Sequence, residues 1–118
     1  MKILKFWFPV LVYSAIIFGV SSIPNLKTPQ SDLPLDKLAH VLLYLPFGYL
    51  LARALDNIKM PLSKKFVILM AVFGSFVYGL GDEYHQTFVA GRSATLGDVA
   101  ADVLGGWLGS FLYKDETH

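Results

Sequence analysis

The sequence predicts an all-α integral membrane protein, a bundle of four transmembrane helices. Of its 118 residues, 54% are hydrophobic and only 16% are charged, whereas typical soluble domains are about one quarter charged. Four apolar stretches also approach the roughly 17–25 residues that a membrane helix requires. The length suits one domain, so residues 1–118 are expected to form a single membrane domain.

Composition also excludes several classes of protein. The formal net charge is +1 and no basic stripe occurs, so nucleic acid is not an expected partner. The chain has no cysteine, which excludes disulfides, thiolate catalysis and cysteine-ligated metals. The expected surroundings are therefore a lipid bilayer.

The predicted helices cover residues of about 3–20, 36–55, 66–86 and 96–113. The first also resembles a cleaved signal peptide, because Lys2 and Lys5 precede an apolar run. It has no A-x-A cleavage site, however, and Phe6, Trp7 and Phe8 cluster where a membrane anchor would lie. We therefore expect it to be retained as a membrane helix.

The second helix contains Pro46 near its middle, which removes one backbone hydrogen bond and favours a kink. All four apolar stretches are short, so polar residues are expected at the helix ends. Tyr, Trp and Phe near the helix ends suit the membrane interface.

The distribution of basic residues predicts the orientation, since cytoplasmic loops carry an excess of Lys and Arg. If the N-terminus is inside, the cytoplasmic side holds Lys2, Lys5, Arg53, Lys59, Lys64, Lys65 and Lys114. The outer side then keeps only Lys27, Lys37 and Arg92. Four spans return the chain to the cytoplasm, so the prediction is N-in and C-in.

This topology places two polar segments on the outer face. One is residues 81–98, GDEYHQTFVAGRSATLGD, and the other ends in Asp36, Lys37 and His40. Because polar backbone cannot stay unsatisfied in lipid, the two segments are expected to pack together at a watery cavity. Asp36, His40 and Tyr44 are spaced four residues apart and share one helix face.

The third and fourth helices add further polar groups. Glu83 and Gln86 share a face if the third helix continues to residue 86. One stripe of the fourth helix carries Asp98, Asp102, Gly105 and Gly109. Its G-x-x-x-G pattern lets a neighbouring helix approach closely, so the two acids are expected to face the bundle interior. Ionisable groups within a membrane are costly and mark candidate functional sites.

Two separated blocks, DKLAHVLLYLPFGYLLARAL and GLGDEYHQTFVAGRSATLGDVAADVLGGWLG, resemble the VanZ-like family of small membrane proteins. The family pattern is D-K-x-x-H-x-x-x-Y-x-x-x-G, then E-x-x-Q-x-F-x-x-x-R, then a D-V-x-x-N-x-x-G helix. The matching residues are Asp36, Lys37, His40, Tyr44, Gly48, Glu83, Gln86, Phe88, Arg92, Asp98, Val99 and Gly105. One departure is Asp102, which stands where the family usually has Asn. This extra carboxylate needs a cationic partner or a bound proton.

The resemblance implies a multi-pass protein of the bacterial cytoplasmic (inner) membrane with a role in the cell envelope. Founding members of the family are associated with low-level resistance to the glycopeptide teicoplanin. The first functional hypothesis is therefore a protein that binds or modulates a lipid-linked envelope precursor, or the target of a glycopeptide, through an outer polar pocket. The expected ligand-binding residues are Asp36, Lys37, Tyr44, Gln86, Arg92 and Asp102.

The alternative hypothesis is a membrane-embedded hydrolase or transferase. Its catalytic residues would be His40, Glu83 and Asp98, with His40 or Glu83 as general base, Asp98 orienting it and Arg92 stabilising negative charge. Ion or solute transport is a weaker third reading, because the predicted helix centres carry few ionisable groups.

Several of these residues also have purely structural interpretations. Asp98 fits a capping box with Thr95, Arg92 fits a bridge to Glu83 or Asp98, and Tyr44 fits a packing residue with one buried hydroxyl bond. His85, outside the family pattern, is expected to be a surface residue.

A metal site is conceivable from Asp36, His40, Glu83 and Asp98. No compact ligand motif occurs, however, and Lys37 would oppose a cation, as would Arg92. We therefore expect neither a metal nor a cofactor. The sequence indicates no particular oligomeric state.

Overall fold

The computed structural model describes residues 2–22, 35–58, 62–89 and 96–114, and within these ranges the chain is helical apart from short turns and caps. The four helices are α1 (Lys2–Ser21), α2 (Leu35–Asp56), α3 (Lys64–Gln86) and α4 (Leu96–Leu112). No β-strand occurs in these ranges. The predicted all-α class with four helices is confirmed.

Local sequence accounts for several features of the helices. Ser63 caps the start of α3, its hydroxyl accepting a hydrogen bond from the Phe66 amide at 3.2 Å. Asp98 lies in the first turn of α4, where a carboxylate interacts favourably with the helix dipole. α1 and α2 run without interruption through Pro9 and Pro46. The kink at Pro46 stays a prediction.

Successive helices run in opposite directions, so α1 begins and α4 ends at the same end of the bundle. At this termini end, the Arg53 guanidinium lies 4.8 Å from the centre of the Phe6 ring, and the Tyr113 hydroxyl donates to Asp56. At the opposite end, which we call the site end, α1 and α3 both finish and α2 and α4 both begin. α2 is therefore parallel to α4.

The closest packing in the bundle is between α2 and α4. Gly105 lies against the backbone carbonyl of Val41, and Gly109, one turn later, lies against that of Leu45. A Cβ atom at either glycine would collide with the carbonyl oxygen, so only glycine permits this separation. The predicted close approach of a neighbouring helix at the G-x-x-x-G pattern is confirmed.

α1 is held to the bundle by both packing and hydrogen bonds. The Tyr13 hydroxyl donates to the backbone carbonyl of Leu43, and the Tyr78 hydroxyl donates to that of Ser14. Val10 and Ile17 of α1 are buried in the apolar core of the bundle. Each hydroxyl thus bonds a carbonyl on a neighbouring helix, where water is scarce.

Large apolar side chains point outward from the bundle. Leu42, Leu69 and Phe73 are each more than half exposed, and exposed apolar surface of this kind marks contact with another apolar phase. α1, α2 and α3 are long and apolar enough to cross a membrane. α4, with 17 residues, measures about 26 Å at 1.5 Å per residue, slightly less than the hydrocarbon core of roughly 30 Å.

Candidate functional site

Polar and charged side chains are concentrated at the site end, between α2, α3 and α4. Lys37, His40 and Tyr44 are three and four residues apart, so they share one face of α2. Each contacts a carboxylate on another helix. The pairs are Lys37 Nζ with Asp98 Oδ1 at 2.5 Å, His40 Nδ1 with Asp102 Oδ1 at 2.8 Å and Tyr44 OH with Asp82 Oδ2 at 3.3 Å. We call these six residues, together with Glu83, the polar site.

The polar site extends from the boundary toward the middle of the bundle. Lys37 is partly exposed, with 36% of its side chain accessible, and His40 retains 15%. Tyr44 and Asp102 are fully buried. Ionisable groups thus lie well below the surface, where any charged group needs a partner because solvation is lost.

The His40–Asp102 pair has the geometry of an oriented imidazole. The Asp102 carboxylate is bonded to Nδ1, so Nε2 faces the remaining acids, with Asp98 Oδ1 at 3.8 Å. A carboxylate on one ring nitrogen sets the orientation of the ring and leaves the other nitrogen for chemistry or binding. In the enzyme hypothesis drawn from the sequence, Asp98 had this orienting role. The structure assigns it to Asp102, the residue that departs from the family pattern.

Helix packing explains why Asp102 reaches His40. Gly105 is three residues after Asp102 and lies against the carbonyl of Val41, the residue after His40. On the α3 side, a Cβ atom at Gly79 would come within 3.0 Å of Asp102 Oδ2. Small residues on both sides therefore make space for a buried carboxylate, as is usual at membrane helix interfaces.

α3 contributes three buried polar side chains from its last two turns: Asp82, Glu83 and Gln86. Gln86 Nε2 lies 3.5 Å from the Ser21 hydroxyl, and Ser21 also bonds Asp82. Sequence reasoning singled out Glu83 and Gln86 but missed Asp82 and Ser21. Asp82 precedes Gln86 by four residues, so the two share one face of α3. This spacing could have predicted that Asp82 belongs to the site.

Asp82 Oδ1 and Asp102 Oδ2 are buried carboxylate oxygens with no hydrogen-bond partner among the residues that the structure describes. Nearly all buried polar atoms in folded proteins are satisfied by protein or by ordered water. An unpaired buried acceptor costs free energy, so these oxygens carry a cost that the surrounding packing has to offset.

Three side chains of the polar site are close enough to share a metal ion. His40, Glu83 and Asp98 each offer a ligand atom, and these atoms lie within 4.8 Å of one another. The Lys37 ammonium already contacts Asp98 Oδ1, however, and a divalent ion there would have to displace it against charge repulsion. In this arrangement the Lys37 ammonium, and not a metal ion, is the cation beside Asp98.

His85 does not lie free on the surface as predicted. Its ring is partly buried and stacks on Phe18, with ring centres 4.3 Å apart. Its Nε2 is 2.9 Å from the Ser22 hydroxyl. His85 therefore joins the end of α1 to the end of α3, which explains its position beside, and not within, the polar site.

Other predicted features lie partly or wholly outside the described residues. These are Arg92, the side chain of Asp36, and Thr95 of the predicted capping box. Within the described part, the predicted buried hydroxyl bond of Tyr44 is confirmed by its contact with Asp82.

The fold and the site together define a small helical membrane protein with a buried charged cluster at one end of its bundle. The VanZ/LLP1 family model matches residues 3–115. The chain belongs to this family, as its two sequence blocks predicted. No curated protein and no solved structure matches the chain.

Proposed function

We propose that this protein spans the bacterial cytoplasmic membrane four times and binds the polar head group of a lipid-linked envelope component, such as a wall precursor, in the polar site. One observation carries the proposal. Lys37 Nζ and His40 Nε2 both lie within 4 Å of a single anionic oxygen, Asp98 Oδ1. When His40 is protonated, Nδ1 donates to Asp102 and Nε2 carries a second N–H, so a phosphate oxygen of a ligand would find two N–H donors, from Lys37 and from His40.

The rest of the polar site supports a ligand that also donates hydrogen bonds. Ionised carboxylates accept hydrogen bonds and donate none, so Glu83 and Asp98 suit hydroxyl or amino groups. A sugar phosphate or peptide-bearing head group has both anionic oxygens and such donors. The mixture of cations and carboxylates therefore favours a lipid-linked precursor over a simple anion.

The proposed orientation has both ends of the chain in the cytoplasm and the polar site at the outer face. It is supported by the basic residues at the termini end, which include Lys5, Arg53 and Lys64, because cytoplasmic ends are enriched in Lys and Arg. The lack of cysteine makes the orientation simple to test with single cysteines. In intact spheroplasts, a membrane-impermeant maleimide is expected to label Gly97→Cys, at the site end, and to label Lys65→Cys only after permeabilisation. The reverse pattern would exclude this orientation.

Binding is tested with purified protein in nanodiscs and two probes, a lipid-linked wall precursor and a polyprenyl phosphate. Hydrogen bonds to charged groups contribute about 1.5–3 kcal/mol, so Lys37→Gln is expected to weaken binding about tenfold or more. Lys5→Gln, which removes an exposed cation at the termini end, is the matched control. Absence of binding to both probes, or equal affinity of the two variants, contradicts the proposal. If the site acts on a glycopeptide target, Lys37→Gln also changes teicoplanin susceptibility at unchanged protein abundance.

A membrane-embedded enzyme is the second candidate, and the His40–Asp102 pair is the observation that favours it. An oriented imidazole with a free Nε2 is suited to proton transfer, and Glu83 lies close to it. Among the described residues no serine or threonine hydroxyl bonds to His40, so water would be the nucleophile. The same nanodisc samples distinguish the two candidates. If the wild type converts a probe and the His40→Ala, Glu83→Gln double variant does not, the protein is an enzyme. If the wild type binds a probe without converting it, the protein is a binding protein.

A further inference from the structure

A cavity of about 200 Å³ lies at the termini end, between the end of α2, the start of α3 and the end of α4. Along α2, the 19 residues that separate Lys37 from Asp56 correspond to about 28 Å, so this cavity is remote from the polar site. One water molecule needs only about 10–15 Å³ of such volume. The cavity therefore has room for a group much larger than water.

The walls of this termini-end cavity differ in character. The apolar wall comprises Leu62, Val67 and Ile68. The polar wall includes Asp56, Lys64 and Tyr113. A carboxylate and an ammonium group thus border one apolar space, at the helix ends where a bilayer places its head groups.

Neighbouring side chains position both charged groups. The Tyr113 hydroxyl donates to Asp56 Oδ2 at 3.2 Å and accepts from Asn57 Nδ2 at 3.4 Å. Lys64 Nζ lies 5.9 Å from the centre of the Phe111 ring, within the range of a cation–π interaction. Tyr113 therefore orients the Asp56 carboxylate. Lys64 is the exposed first residue of α3, and its contact with Phe111 keeps the ammonium close to the bundle.

We propose that the termini-end cavity binds the head group of a zwitterionic phospholipid that carries a phosphate and a primary ammonium, as phosphatidylethanolamine does. Lys64 contacts the phosphate, and Asp56 accepts hydrogen bonds from the ammonium. Leu62 and Val67 contact the glycerol region and the first carbons of the acyl chains. This lipid site is separate from the proposed function of the polar site and does not depend on it.

The charge pattern discriminates among common phospholipids. A phosphatidylglycerol head group has no cation for Asp56, and its phosphate is repelled by that carboxylate. A phosphatidylcholine head group has a cation, but its quaternary ammonium has no N–H to donate. Of these head groups, only a primary ammonium is both positively charged and able to donate hydrogen bonds to the Asp56 carboxylate, and such charge-assisted bonds are about twice as strong as neutral ones.

The test is native mass spectrometry of the full chain, released from micelles that contain equal amounts of phosphatidylethanolamine, phosphatidylglycerol and phosphatidylcholine. Wild type is expected to retain phosphatidylethanolamine about tenfold more than either competitor, the ratio that about 1.4 kcal/mol gives. Asp56→Asn is expected to bring the preference over phosphatidylcholine close to one. Lys64→Gln is expected to lower the retention of phosphatidylethanolamine and of phosphatidylcholine, since both have a phosphate for Lys64 to contact.

Lys65→Gln is the matched control, because Lys65 is the exposed neighbour of Lys64 and does not line the cavity. It is expected to behave as wild type. The asparagine oxygen can still accept from Tyr113, and Lys64 is exposed, so both test variants should fold; their melting temperatures check this. Equal retention of the three lipids by wild type, preferential retention of phosphatidylglycerol, or equal effects of Lys64→Gln and Lys65→Gln would each overturn the proposal.

Discussion

Gly109→Ala is expected to destabilise the protein by about 3 kcal/mol or more, a cost at the upper end for one extra carbon in a tight interface. The added Cβ would collide with the Leu45 carbonyl oxygen and lie 2.8 Å from the Tyr49 amide nitrogen. Both are backbone atoms of α2, which cannot move aside without shifting the helix. The measurement is the free energy of unfolding in mixed micelles with increasing amounts of a denaturing detergent.

Gly19→Ala is the matched control for this experiment. Gly19 also lies within a helix, but a Cβ atom there would have no neighbour within 4 Å. Its substitution is expected to be neutral or to stabilise the protein slightly, since alanine favours helix more than glycine does. Equal stabilities of Gly109→Ala and Gly19→Ala would show that α2 and α4 are not packed through backbone contact.

Asp102→Leu is expected to cost about 3 kcal/mol or more, because removal of one partner leaves the other partner of a buried pair without compensation. Asp102→Asn is expected to remain within about 1 kcal/mol of wild type, since the amide oxygen can accept the Nδ1–H of neutral His40. Unfolding in mixed micelles measures both stabilities. The ¹⁵N chemical shifts of the imidazole identify the nitrogen that carries the proton.

The control substitution on the same helix is Ala100→Leu, because Ala100 is exposed. It is expected to leave both the stability and the His40 spectrum unchanged. If Asp102→Asn is as unstable as Asp102→Leu, the negative charge of Asp102, and not its hydrogen bond, holds the site together. If Asp102→Leu is as stable as wild type, the His40–Asp102 contact does not contribute to the fold.

Much of the fold could be predicted because a membrane helix must satisfy its backbone internally and must present apolar side chains to lipid. Both requirements produce apolar segments of sufficient length, which can be recognised directly in the sequence. The G-x-x-x-G pattern of α4 likewise predicted close helix packing. The pattern did not name the partner, since the close approach to α2 depends on the carbonyls of Val41 and Leu45, which have no sequence signal.

The site could be predicted only in part. Spacing along single helices predicted that His40 and Tyr44 share a face, and the family blocks pointed to Glu83 and Asp98. Neither kind of reasoning identified Asp82, which belongs to no motif and bonds Tyr44 across 38 residues of sequence. Contacts between helices depend on their relative rotation and depth, and these are not encoded in any local pattern.

The sequence by itself thus determined the class of protein, the four helices and most of the residues that form the charged cluster, because apolar length and helical spacing are local properties. Only the tertiary structure decided the pairing of Lys37 with Asp98, His40 with Asp102 and Tyr44 with Asp82. The physical reason is that a buried charge takes the partner that packing brings within reach. Here that packing depends on glycines that let α2 and α4 meet backbone to backbone.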